Sequence, residues 1–497
     1  MQGFGPPAFP PPFPASFQDR AAPRPRRWWG LLVIALTQLL VLPEASAFDR
    51  ALPTLQADLG LHAAALNPVT STYVLAFGAL LLPGGHLADL AGARKILLLG
   101  LAGFAAASAL GGSAGDPTLL IAARALQGAC AALLTPAALS LVLTGFTDPK
   151  ARRRAFGIYA AIAAGGGAFG LFTGGWLLEA LNWRASQYAA VPLALIAVIG
   201  VRALLPGLPG RTGARFDGPG VLLGSAGLLA LTYGLGDAES AGWATPVTLL
   251  PVVGGALLLG AFLLRPATAP GPLLAPSVLR DRSGLGAVLT LVVPGFAVLA
   301  LLPATGSFVQ QVLGHAPFEA GLAHLPLAAA AVIASTQVSA RLLGRVAPRV
   351  LIVAGLAVTA LGLALLTGMT TGDSYTADGL PGMLLAGFGL GLALMPLLAT
   401  ATAGVAAPHA GGASRAVATA QHVGQAIRGA VLGTVVIGRL RDVPHLPEGL
   451  AGQLMDAYTT MLWIAVGVLL LAALGAGLLV TRRASGAEAP AVPAHRW

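Results

Sequence analysis

Apolar segments long enough to cross a bilayer recur along this chain from about residue 28 to residue 480, and that recurrence limits the possible folds more than any single motif does. Backbone amides in hydrocarbon must be satisfied within their own segment, so each such run reads as a helix. We place them near 28–52, 68–88, 95–114, 117–145, 155–178, 186–205, 218–236, 247–265, 285–311, 319–340, 349–370, 379–403, 411–437 and 456–480. Charged residues are only 10% of the chain, too few to solvate the surface of a soluble protein of this length. The expected fold class is therefore an all-α polytopic membrane protein with 14 transmembrane helices. The longest internal connections, about 205–217, 236–246 and 266–284, are too short for an inserted domain. Residues 1–27, rich in Pro and Phe, read as a disordered cytoplasmic tail, and 481–497 as a second one.

The net charge of +10 would suit a nucleic-acid surface, but its distribution argues against one. Of 29 Lys and Arg residues, 23 fall in the tails, the even-numbered connections or the span ends that border them. Arg184, Arg439 and Arg441 fall on the other side, and Arg50, Arg124 and Arg428 within spans. The positive-inside rule then puts both termini in the cytoplasm. The basic excess becomes a topology signal and a match to anionic membrane lipid. Arg26-Arg27, an apolar core and Ala45-Ser46-Ala47 also resemble a secretory leader, whose cleavage would remove the first span. Cys130 is the single cysteine, so neither an internal disulfide nor a cysteine metal cluster can form. The histidines have no metal-ligand spacing, and no nucleophile–base set or phosphate-binding glycine loop is present. The expectation is a non-enzyme with no cofactor and no metal.

Four segments carry a resemblance. Gly85-His86-Leu87-Ala88-Asp89-Leu90-Ala91-Gly92-Ala93-Arg94-Lys95 resembles the major facilitator superfamily signature G-x-L-a-D-r-x-G-r-k, with Leu90 and Ala93 in place of basic residues. A weaker copy, Ala340 to Arg349, joins the tenth and eleventh spans, suggesting two related halves. Arg124, Gln127 and Gly128 fit R-x-x-Q-G at i, i+3 and i+4, on one helix face. Gly166, Gly170, Gly174 and Gly175 resemble the antiporter motif G-x-x-x-G-P-x-x-G-G, with Leu171 replacing its proline. Leu42 to Pro53 is similar to the first-helix motif L-D-x-T-I-V-N-V-A-L-P of fourteen-span drug–proton antiporters. Glu44 falls on its acidic position, Asp49 and Arg50 depart from it, and Pro43 is unusual before the acid.

The resemblance implies two six-helix bundles, 28–205 and 285–480, separated by a two-helix insert within 206–284. It also implies a monomeric, proton-coupled exporter of small amphipathic molecules in a bacterial cytoplasmic membrane. A dedicated metabolite exporter or uptake porter, and a transport-inactive sensor or scaffold, are the alternatives. Intramembrane charges usually face a cavity, a partner or an ion path. Glu44 lies eight residues from the outer end of its span and Arg124 seven from the outer end of its own, which puts them at similar depth. They form either a proton switch or a static ion pair. Asp49 sits about 140° round the helix from Glu44, so it reads as a rim pair with Arg50 or as a second coupling acid. Gln421, Gln425 and Arg428 share a face that either binds an acidic substrate group or clamps a neighbouring helix. Gln127, Phe308, Gln310, Gln311 and Met395 complete the candidate substrate contacts. Glu179, Trp183 and Arg184 read as interfacial anchors.

Overall fold

The computed structural model describes residues 24–60, 63–146, 148–207, 210, 217–265, 273–274, 281–369, 374–403, 405, 410–441 and 447–480. Within these, side chains are described except at 24–25, 43–50, 53, 63–66, 239–240, 298–300, 303, 307, 311–312, 428–429, 432–433, 436–441 and 447–454. The described residues form helices and short connections, with no strand among them. In chain order the helices are α1 (Arg24–Leu59), α2 (Ala63–Ala91), α3 (Ala93–Gly112), α4 (Pro117–Gly145), α5 (Pro149–Ala180) and α6 (Trp183–Leu204). Next come α7 (Gly218–Ala241), α8 (Pro246–Leu264), α9 (Arg282–Thr290), α10 (Val292–Ser307), α11 (Pro317–Leu322) and α12 (Leu325–Ile333). The last are α13 (Ala340–Leu342), α14 (Pro348–Leu366), α15 (Leu380–Ala401), α16 (Ala410–Arg441) and α17 (Pro447–Leu479). Eleven candidate spans among the described residues have the length and apolarity to cross a membrane.

The helix starts follow from local chemistry. Asp116 precedes Pro117, and its Oδ1 accepts the Leu119 amide at 3.0 Å. Asp148 precedes Pro149 and accepts the Ala151 amide at 2.8 Å. Asn182 and Asp281 cap α6 and α9 in the same way. Each side chain satisfies an amide that the first helical turn leaves open, and at α4 and α5 the proline at the next position loses no needed donor. Gly92 joins α2 to α3 with a φ of 96°, a backbone angle that side-chain-bearing residues rarely adopt.

Helices α1 to α6 pack on one another: α2 and α3 on α4, α3 on α6, and α1 on α5 and α6. A second group forms where α14 packs on α15 and α17, α12 on α15, and α10 on α16. Two seams join the groups, α5 against α11 and α12, and α2 against α16. Helices α7 and α8 pair as a hairpin, and α7 leans on both α2 and α16. Three π-helical turns, Phe308–Val312, Ala334–Ser339 and Tyr375–Gly379, interrupt the second group. One end of the assembly gathers Arg94, Arg152, Arg153 and Arg202. Arg345 joins them, since it follows Gly344, which faces the Arg153 guanidinium. We call this the basic end.

Candidate functional site: a buried arginine junction and a latch at the basic end

Arg124 lies within α4 and is 1% exposed. Its guanidinium sits over the Tyr73 ring of α2, 4.6 Å from the centroid. Its Nη1 donates to Gln127 Oε1 at 3.2 Å. Gln127 Nε2 donates in turn to Ser108 Oγ of α3 at 2.9 Å and to Gln187 Oε1 of α6 at 2.7 Å. Gly128 completes the motif for a steric reason: a Cβ there would overlap the Tyr73 carbonyl oxygen, so only glycine lets α2 approach. The R-x-x-Q-G face is thus a polar junction of four helices. Gln127, a candidate substrate contact by sequence, is buried in that network.

The junction reaches α1 through Tyr73, whose hydroxyl donates to the Val41 carbonyl at 3.3 Å. Glu44 follows Val41 by three residues, less than one helical turn. The backbone of the acidic position therefore lies near the level of Tyr73. The side chains of Glu44, Asp49 and Arg50 lie outside the described residues, as do those of Gln311 and Arg428.

The second cluster lies at the basic end of the α2–α16 seam. Arg415 on α16 is 2% exposed, and its Nη1 donates to Asp89 Oδ2 at 2.6 Å. Its Nε donates to the Leu273 carbonyl at 2.8 Å, and Nη2 reaches the same oxygen. Gly85 makes room for the Arg415 stem, and Gly411 for the Asp89 carboxylate. The loop motif thus forms an ion pair across the two groups, with its first glycine at the contact. Arg94 Nη2 donates to the Arg202 carbonyl at 2.7 Å and ties α3 to the end of α6. Sequence reasoning missed Arg415 because its position near the start of the thirteenth span let it pass as one more topology charge. The signal was there: it lies four residues past Gly411, inside a helix-forming run.

The other candidates scatter. Gly166 faces Leu42 of α1, whereas Gly175 meets the Pro317 carbonyl of α11, so the glycine stripe serves two neighbours. Gly170 and Gly174 are buried in α5. Phe308 and Met395 are buried in the main core, and Ser339 Oγ lies 3.8 Å from the Met395 sulfur. Gln310 is half-buried and bonds the Gly306 carbonyl of its own helix at 3.3 Å. Gln421 and Gln425 are half-buried where α16 meets Gly295 of α10. The anchoring expected of Trp183 does not occur. Its indole is 2% exposed and donates to Asp58 Oδ2 at 3.0 Å, while Arg184 pairs with the same carboxylate. Glu179 accepts the Phe318 amide at 3.2 Å across the α5–α11 seam. The described residues hold no group of three or more His, Cys, Asp or Glu that could bind a metal.

Residues 34–428 match the sequence model of the Major Facilitator Superfamily. The chain belongs to that superfamily. It is 43% identical to the puromycin resistance protein pur8 of Streptomyces alboniger, over 94% of this chain and 94% of that one. It is 37% identical to the cephamycin export protein CmcT of Amycolatopsis lactamdurans, over 88% of this chain and 91% of that one. Its fold is similar to the proton:xylose symporter XylE, with a TM-score of 0.64 at 14% identity over 93% of this chain and 97% of that one. As a Major Facilitator Superfamily member it is a transporter and not an enzyme, with drug and antibiotic exporters among its relatives.

Proposed function

We propose that this chain is a proton-driven antiporter that exports small amphipathic molecules by alternating access. In this reading fourteen spans form two six-helix bundles and a two-helix insert, embedded in a bacterial cytoplasmic membrane with both termini in the cytoplasm. It works as a monomer and draws on the proton gradient without a cofactor. The observation that carries it is Arg124, buried against Tyr73, whose hydroxyl touches α1 beside the Glu44 position. A carboxylate at that level keeps its charge while the guanidinium is near and takes a proton when the two part. The Asp89–Arg415 pair holds the basic ends together in one state and parts in the other.

The relatives support a substrate class. One is named for puromycin resistance and another for cephamycin export, so an amphipathic natural-product antibiotic is the cargo we propose. The test uses purified protein in proteoliposomes with an imposed pH gradient and puromycin as the probe. Wild type is expected to drive efflux that collapses with the gradient, and Glu44→Gln to lose that dependence. Gradient-driven efflux that survives in Glu44→Gln would remove Glu44 from the mechanism.

A further inference from the structure

The contact between α2, α7 and α16 contains a histidine that the arginine junction does not use. His422 of α16 is 1% exposed, and its Nε2 lies 3.2 Å from Thr232 Oγ1 of α7. Its ring tilts against Phe77 of α2, with centroids 5.2 Å apart. The ring fits because residue 78 is glycine; a Cβ there would overlap Nε2. One side chain therefore touches both helix groups and the α7–α8 hairpin. Its second nitrogen, Nδ1, is buried with no hydrogen-bond partner. An imidazole has a donor and an acceptor nitrogen in either neutral tautomer, so one of them is left unmet here.

Two more polar atoms share this condition. Thr419 Oγ1, one turn from His422 on α16, and Ser225 Oγ, two turns from Thr232 on α7, are also buried without partners. Helical spacing puts each on the face that carries its neighbour in the seam. Buried polar atoms that the protein leaves unmet are where internal water resides.

We propose that His422 is a second proton-binding site, reached by water along the Ser225–Thr419 seam, whose protonation separates α7 from α2 and α16. This rests on the proton-antiport reading. The groups facing the ring are Thr232 from α7 and Phe77 and Gly78 from α2. Among the described residues, no carboxylate bonds to it. On α2, Asp89 pairs with Arg415 of α16, and His86 lies two turns away. On α7, Asp217 pairs with Arg265, Tyr233 is exposed, and Asp237 lies more than one turn from Thr232. A second proton on the ring in this packing would be a buried charge met by only a hydroxyl and an aromatic face. The proton therefore binds better where the seam admits water, and by linkage it favours the open seam. Histidine is the side chain suited to report such a change near neutral pH.

The test reads conformation and not flux. In a Cys130→Ala background, spin labels at Leu80 of α2 and Leu222 of α7, both exposed, report the distance between the helices by pulsed electron resonance. As pH falls from about 8 to about 5.5, a longer-distance population should grow by up to about tenfold per unit. His422→Gln, which can still bond Thr232, should abolish that growth while unfolding at an unchanged temperature, and Glu44→Gln should retain it. Distances insensitive to pH in wild type overturn the proposal. So does a pH response that persists in His422→Gln or disappears in Glu44→Gln. The failure of gradient-driven efflux is a separate result, because these distances are measured without substrate or gradient.

Discussion

Helix α4 packs on α2 and α3, and α15 on α12 and α14, but their interiors differ in kind. Both are close-packed against a neighbour through glycine: a Cβ on Gly128 would overlap the Tyr73 carbonyl, and one on Gly391 the Ala331 carbonyl. Yet α4 buries Arg124 and Gln127 in a hydrogen-bonded network, whereas the buried face of α15 is Gly, Ala, Leu, Met and Pro with a single Thr. The same contact geometry therefore supports two chemistries. Helix α4 carries a charge in its interior, and α15 supplies an apolar wall. Even His324, buried in the second group, meets the Ala320 carbonyl through Nδ1 and Thr305 through Nε2, so its ring is fully engaged in packing.

This asymmetry can be broken most strongly at the latch. Asp89→Asn leaves Arg415 buried without its carboxylate, and such losses cost roughly 3–5 kcal/mol. We expect a markedly lower unfolding temperature in detergent. The corresponding loop of the second group should barely respond, because Arg341 bonds only Gln337 of its own helix, at 2.7 Å, among its described contacts. Arg341→Ala should change stability by at most about 1 kcal/mol. Equal effects of the two substitutions in a thermal melt would contradict the asymmetry.

A smaller effect is expected inside α4. Gln127→Leu strands Ser108 and Gln187 and should cost about 1–3 kcal/mol. Met395→Leu in α15 conserves volume in an apolar core and should cost less than about 1.5 kcal/mol. Denaturant or thermal midpoints of the pair check the ordering, and the reverse order would show that α15 is no mere wall.

The smallest effect lies at the end opposite the latch. Arg184, and then Trp183, hold the Asp58 carboxyl below its usual range through hydrogen bonds. A depressed carboxylate stabilises the fold above its ordinary pKa and loses that contribution as pH falls through the depressed value. The unfolding temperatures of wild type and Asp58→Asn should therefore differ at neutral pH and converge below about pH 4. A difference that grows on acidification would contradict this sign.

Much of the fold is legible because membrane helices announce themselves by length and apolarity. The fourth segment reads as 117–145 from its apolar run, and these are the bounds of α4. The three π-helical turns are not legible, since no residue type demands them and they arise from packing. At the site, the motif spacing predicts that Arg124 and Gln127 share a face, and they are hydrogen-bonded. It cannot tell that this face points at Ser108 and Gln187, because those partners come from other helices. The roles of His422 and Trp183 escape for the same reason: each bonds a residue more than a hundred positions away.

Proton release on substrate binding tests the central claim most directly. Detergent-solubilised protein in weakly buffered medium is mixed with puromycin while the pH is followed. The account predicts that wild type releases protons on binding, that Glu44→Gln and Arg124→Gln release fewer, and that Met395→Leu releases as many as wild type. Release from Glu44→Gln equal to that of wild type would contradict it.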